Sequence, residues 1–157
     1  MTDGELRPIG VVRSERATAI DDGWDGVAAR IELDPAELGA EATLGLNDFS
    51  HLEVVYLFHL VEPGDVCRGA RHPRSRADWP LTGILAQRAK DRPNRIGVTV
   101  CRLVRADDYT LEVAGLDAVD GTPVLDVKPY QSGFGPRGTV VEPRWSRELM
   151  RGYWTAR

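Results

Sequence analysis

Apolar positions recur every second residue in several short stretches of the chain, and runs rich in glycine, proline and aspartate separate them. From Val27 to Leu33, Val27, Ala29, Ile31 and Leu33 fall on one side, while Ala28, Arg30 and Glu32 fall on the other. That is the repeat of a half-buried strand. Asp48 to Leu60, DFSHLEVVYLFHL, is dense in β-branched and aromatic side chains and predicts a long central strand. Further strands are predicted over Leu6 to Arg13, Gly83 to Gln87, Ile96 to Val104, Tyr109 to Val113 and Pro123 to Val127. Pro8 confines the first of them to an edge or to its opening residues.

Helical signals are few. Asp34-Pro35 opens a short turn, with the aspartate as cap and the proline at the first helical position. Glu142-Pro143 starts a helix on which Trp145, Leu149 and Tyr153 recur at intervals of four, widened by Met150 and Trp154. That face is core or interface. Many short strands, one firm helix and frequent Gly/Pro turns predict a mainly β protein: a small single-domain β-barrel with a C-terminal helix, spanning residues 1–157.

Two connections stand out. Residues 61–82 form a long segment with several prolines and glycines that carries Arg68, Arg71, His72, Arg74 and Arg76, either a phosphate-facing cluster or a solvated loop. Residues 19–26, AIDDGWDG, set Trp24 between Asp22 and Asp25 in an exposed-looking turn, where it is a lid or a core anchor.

Composition narrows the class. The net charge is −4 and the pI is near 5.4, which argues against non-specific binding to a polyanion. No run approaches the ~20 apolar residues of a membrane helix. The start, MTDGELRPIG, lacks the basic head and apolar core of a signal peptide, so a cytoplasmic location is expected. Cys67 and Cys101 have neither disulfide-framework nor zinc spacing and read as reduced thiols. His51 and His59 share one side of a regular strand, but at ~3.3 Å per residue their backbones lie too far apart to hold one metal ion.

The chemically specific residues bracket the strand pair between Ala86 and Tyr130. Arg88, Arg92, Pro93, Asn94 and Arg95 gather positive charge and an amide around a stiffening proline, suited to a carboxylate or phosphate. Asp117, Asp120, Gly121, Thr122 and Pro123 place carboxylates beside a turn whose glycine admits a ligand close to the backbone, suited to a cation or sugar hydroxyls. S-adenosylmethionine has an anionic end, a cationic centre and hydroxyls. A nucleotide or an amino acid also fits these residues.

Four blocks carry a resemblance. GVVRS (Gly10 to Ser14), GLNDFSHLEVVYLFH (Gly45 to His59), QRAKDRPNRIGVTV (Gln87 to Val100) and LDAVDGTPVLDVKPY (Leu116 to Tyr130) resemble, in order and wording, the TsaA-like family of β-barrel S-adenosylmethionine-dependent methyltransferases, which includes TrmO-type tRNA enzymes. The resemblance implies S-adenosyl-L-methionine as cofactor and a homodimer with the pocket close to the subunit contact. Together with the two bends it nominates His59, Leu60, Arg88, Arg92, Asn94, Val98, Asp117, Asp120, Gly121 and Thr122 as cofactor-binding residues. Asp22, Trp24, Asp25, Arg95 and Tyr130 are the substrate-side candidates.

Two departures bear on substrate choice. DDGWDG stands where the family has a proline-containing segment beside the cofactor, and Arg95 replaces a second proline in the RPN block. The expected reaction is methyl transfer to an unassigned nitrogen or oxygen acceptor, on a small molecule or a modified nucleoside. The alternatives are a threonylcarbamoyl-adenosine beside the anticodon of tRNA, less favoured with the acidic pI, and a barrel that binds the cofactor without turnover. No residue is singled out as the catalytic base; Asp22, Asp25, Asp120 and His59 are all candidates.

Overall fold

The computed structural model describes residues 4–155, so the part of the signal-peptide reading that rests on Met1, Thr2 and Asp3 lies outside the described residues. The strands are β1 (Gly10–Ser14), β2 (Ala28–Leu33), β3 (His51–Leu57), β4 (Ala70–Arg71), β5 (Thr82–Gly83), β6 (Ile96–Asp107), β7 (Thr110–Ala114) and β8 (Pro123–Pro129), and one helix, α1 (Arg144–Met150), follows. Six of the strands close a barrel in the order β1-β2-β7-β6-β3-β8, every pairing antiparallel. Closure leaves no free sheet edge in the barrel.

Alternation in the sequence becomes inside and outside. On β3, Leu52, Val54 and Tyr56 are buried, while His51, Glu53, Val55 and Leu57 are only partly covered. Val12, Ile31, Leu33, Leu111, Val113 and Val124 join them from the other strands, with Leu116 and Ala118 closing one end. A large apolar side chain so buried contributes about 1.5–3 kcal/mol.

Several predicted boundaries shift. The central strand is shorter than 48–60: β3 stops at Leu57, and residues 58–61 turn away with hydrogen bonds from His59 N to Leu57 O (2.8 Å) and from Val61 N to Phe58 O (3.3 Å). His59 is therefore not on the same strand face as His51. The strand expected over 83–87 is confined to Thr82–Gly83 and followed by a 3-10 turn, Ile84–Ala86. Gln87, at the end of that stretch, is buried, and its side-chain amide donates to Arg71 O (3.0 Å) and Thr82 O (2.8 Å). The loop over 61–82 is thus partly ordered as the β4–β5 pair.

The helix is also shorter than its apolar spacing implied. It ends at Met150, so Tyr153 and Trp154 lie beyond it. Trp145 packs on Trp79 with ring centroids 6.4 Å apart, and Trp79 Nε1 donates to Glu148 Oε2 at 3.0 Å. That bond, with Arg144 beside it, holds the Glu148 carboxyl below its usual range. Trp145 of the stripe therefore covers the chain's own Trp79. Among the described residues no helix is long and apolar enough to cross a membrane.

Candidate functional site at one end of the barrel

Antiparallel pairing brings the ends of β1, β3 and β7 together with the starts of β2, β6 and β8 at one mouth of the barrel. The two chemically specific bends belong to this mouth, because one leads into β6 and the other into β8. Both meet residues 58–61. On the arginine side, Phe58 N donates to Arg95 O (2.7 Å) and an Arg95 guanidinium nitrogen donates to Val61 O (2.7 Å). On the aspartate side, a side chain at Gly121 would stand 3.7 Å from His59 Nε2.

Each bend has a local reason for its shape. Arg95 has φ of +52° and its N–H donates to Arg92 O (2.9 Å), a left-handed turn that a proline at this position could not adopt. Gly121 has φ of +78°, where a Cβ is disfavoured, and its N–H donates to Val12 O (2.8 Å). Asp120 Oδ1 accepts the Ser14 N–H at 3.0 Å, tying the turn to the end of β1. Thr122 is 2% exposed and lies in the barrel wall.

Arg88 is exposed and donates to Val98 O at 2.6 Å, and Arg92 donates to Gln87 O at 2.8 Å, so main-chain oxygens aim both guanidinium groups. Val98 is half-buried in β6 opposite Val55. Asn94 and Leu60 are exposed beside the Arg95–Val61 link.

Asp117 differs from the other carboxylates. Tyr56 OH donates to its Oδ1 at 2.8 Å, Thr99 Oγ1 donates to the same oxygen, and Tyr153 OH donates to Oδ2. Protein hydroxyls engage both of its oxygens, three of about four acceptor positions, which makes it a structural anchor under the turn rather than an open ligand contact. Desolvation and the adjacent Asp117 charge push both phenols well above the ordinary tyrosine range, while Arg74 and Arg88 pull Tyr153 the other way. Those two cations therefore stand near this cluster. Sequence reading missed the cluster because its members are far apart in the chain and each is an unremarkable residue type.

The substrate-side candidates separate. Trp24 is 4% exposed, with the Arg16 guanidinium 4.1 Å over its ring, so it anchors the loop rather than standing exposed as the turn-rich sequence implied. Asp22 pairs with Arg74 at 2.9 Å. Asp25 pairs with Arg102 at 3.0 Å and lines a shallow cavity of about 230 Å³ with His51, Cys101 and Trp154, on the barrel's side. Tyr130 is not brought to this mouth: its N–H donates to His51 O (2.9 Å), at the opposite end of β3.

A closed six-stranded antiparallel barrel whose mouth joins an arginine bend to an aspartate-glycine turn defines the class: a small antiparallel β-barrel with a polar mouth. The family model for the tRNA-methyltransferase O N-terminal domain matches residues 19–135, and the chain belongs to that family. A Methanothermobacter thermautotrophicus relative named as a probable S-adenosyl-L-methionine-binding protein is 39% identical over 147 residues, 88% of this chain and 99% of that one. A Homo sapiens tRNA (adenine(37)-N6)-methyltransferase is 34% identical over 100 residues, 64% of this chain and 22% of its own length, so the chain spans about a fifth of that relative. The crystal structure of TrmO from Pseudomonas aeruginosa superposes with a TM-score of 0.71 at 30% identity, covering 89% of this chain and 61% of that one.

Proposed function

We propose that this chain is an S-adenosylmethionine-dependent methyltransferase, cytoplasmic and homodimeric, that transfers a methyl group to a nitrogen or oxygen acceptor. The observation that carries this reading is the meeting of the Arg92–Arg95 bend and the Gly121 turn on residues 58–61, in a barrel whose relatives are named for that cofactor. The residues suit it. Arg88, Arg92 and Asn94 offer donors to its carboxylate, and Asp120 keeps one oxygen for its ammonium group or a ribose hydroxyl. The bare backbone of Gly121 admits a close approach beside His59, while Leu60 and Val98 belong to the adjoining segments and the buried Thr122 supports the turn from behind.

When bound, the cofactor would supply an electrophilic methyl group on a sulfonium, with the sulfur as leaving group, to an acceptor lone pair. The protein's part would be alignment of the acceptor for in-line transfer. A protonated acceptor must also shed a proton. Asp22 and Asp25 are engaged by arginines and Asp120 by Ser14, whereas His59 makes no side-chain hydrogen bond among the described residues. His59 is therefore the proposed base, with its unengaged Nε2 beside the Gly121 turn.

A tRNA acceptor is the second reading. It is favoured by the human relative's name and by Arg74, Arg88, Arg92 and Arg95 around the mouth, and opposed by the net charge of −4. A sensor without turnover is the third, in line with the archaeal relative's name. Incubation with methyl-labelled cofactor and cell extract, with and without nuclease, separates them. Nuclease-resistant label in a small acceptor supports the first, label in RNA the second, and tight cofactor binding without transfer the third. A folded protein that neither binds the cofactor nor transfers label refutes all three.

A further inference from the structure

One of the three hydroxyls around Asp117 does not come from the barrel. Tyr56 and Thr99 are inward residues of β3 and β6, held by the strand ladder. Tyr153 comes from the turn after α1 and is secured twice. Its phenol donates to Asp117 Oδ2, while its carbonyl accepts the N–H groups of Gly23 (2.8 Å) and Trp24 (3.2 Å). The next carbonyl, of Trp154, accepts from Asp25 N at 2.8 Å. One short turn thus grips residues 23–25 by its backbone and the 117–122 segment by a side chain.

No cation pairs with Asp117 among the described residues, so three hydroxyl donors carry its charge. Loss of one leaves a part-buried carboxylate under-satisfied. Asp117 is also only four residues from Gly121, so a shift of its carboxylate is felt at the turn proposed to meet the ligand.

We infer that Tyr153 is a positioning residue: through Asp117 it sets the 117–122 turn, so ligand binding at the barrel mouth and docking of the C-terminal turn on residues 23–25 are coupled. The inference rests on the S-adenosylmethionine reading above. Coupling of this kind is reciprocal, so the bound ligand must in turn tighten the docked segment. A merely structural tyrosine would lower the melting temperature on substitution and leave the affinity of the folded protein unchanged.

The test is calorimetric titration of the full chain with S-adenosylmethionine, together with amide exchange. Tyr153→Phe is expected to weaken binding about tenfold, as loss of a hydrogen bond to a charged group does, and Asp117→Asn by a similar factor. The double variant is expected to be no weaker than Asp117→Asn alone. Ligand is expected to slow exchange at the amides of Gly23, Trp24 and Asp25 in the unmodified chain and much less in Tyr153→Phe. Unchanged affinity in Tyr153→Phe, losses that multiply in the double variant, or equal protection in both proteins would overturn the inference and leave the cofactor reading standing. If either variant fails to fold, absence of ligand-induced protection at residues 23–25 in the unmodified chain overturns it. Failure of the unmodified chain to bind S-adenosylmethionine removes both.

Discussion

Gly97 is the second residue of the longest barrel strand, β6, and its lack of a side chain is a packing requirement that can be tested directly. It lies opposite Tyr56 in the β3–β6 ladder, and a Cβ there would come within 2.5 and 2.6 Å of the Tyr56 ring and 2.9 Å of Phe58 Cζ. Carbon atoms prefer separations of ~3.5–4.0 Å, so Gly97→Ala must displace the Tyr56 ring by roughly 1 Å. Overpacking of this kind costs about 1–3 kcal/mol. The displaced phenol would also lose its bond to Asp117, worth about 1.5–3 kcal/mol because the acceptor is charged. Against these stands the lower chain entropy of unfolded alanine, about 0.4–1 kcal/mol. The expected net destabilisation is about 2–5 kcal/mol, or a melting-point fall of about 5–20 °C for a chain of this size.

Urea unfolding followed by tryptophan fluorescence measures it. Tyr56→Phe removes the hydroxyl without adding bulk, so it should cost less than Gly97→Ala. Gly26→Ala is the control: nothing lies within 4 Å of its added methyl group, and little or no loss is expected. A Gly97→Ala stability within about 0.5 kcal/mol of the unmodified chain would refute the argument, because the ring would then have room to move.

Three further outcomes are expected. Gly121→Ala meets no clash but must hold φ near +78°, so it should cost about 1–2 kcal/mol of stability and weaken S-adenosylmethionine binding more than that strain explains; unchanged calorimetric affinity would place the ligand elsewhere. Arg88→Ala should weaken the same binding by about 1.5–3 kcal/mol with little change in melting temperature, and equal affinity would remove Arg88 from the site. Burial pushes the Cys101 thiol up to about 12, with the Asp117 charge adding to the effect. The unfolded chain thus loses this proton first as pH rises, and the folded state loses stability between about pH 9 and 12. Unfolding free energies should fall about 1 kcal/mol further between pH 9 and 10 in the unmodified chain than in Cys101→Ala, and parallel curves would count against the burial argument.

Much of this architecture was legible because strand periodicity is local. Alternation along 27–33 and 48–60 separates the side that must leave water from the side that need not, and closure of a barrel follows from having many such strands and little helix to cover them. The Arg92–Arg95 and Asp120–Thr122 bends were visible for the same reason, since proline, glycine and charge act on the backbone where they stand. What the amino-acid order left open were features that depend on partners distant in the chain. Trp24 looks exposed among aspartates and glycines, yet it is buried, with Arg16 over its ring and its N–H donating to the Tyr153 carbonyl. Tyr153 fits a helical stripe, yet α1 stops three residues short of it and its phenol turns to Asp117. Asp117 and Asp120 are equivalent as sequence, and only the closed barrel together with the docked C-terminal turn decides that three hydroxyls surround one carboxylate while the other borders the mouth. Periodicity and turn chemistry are set by neighbouring residues, whereas the satisfaction of a buried charge is set by whatever the fold delivers to it.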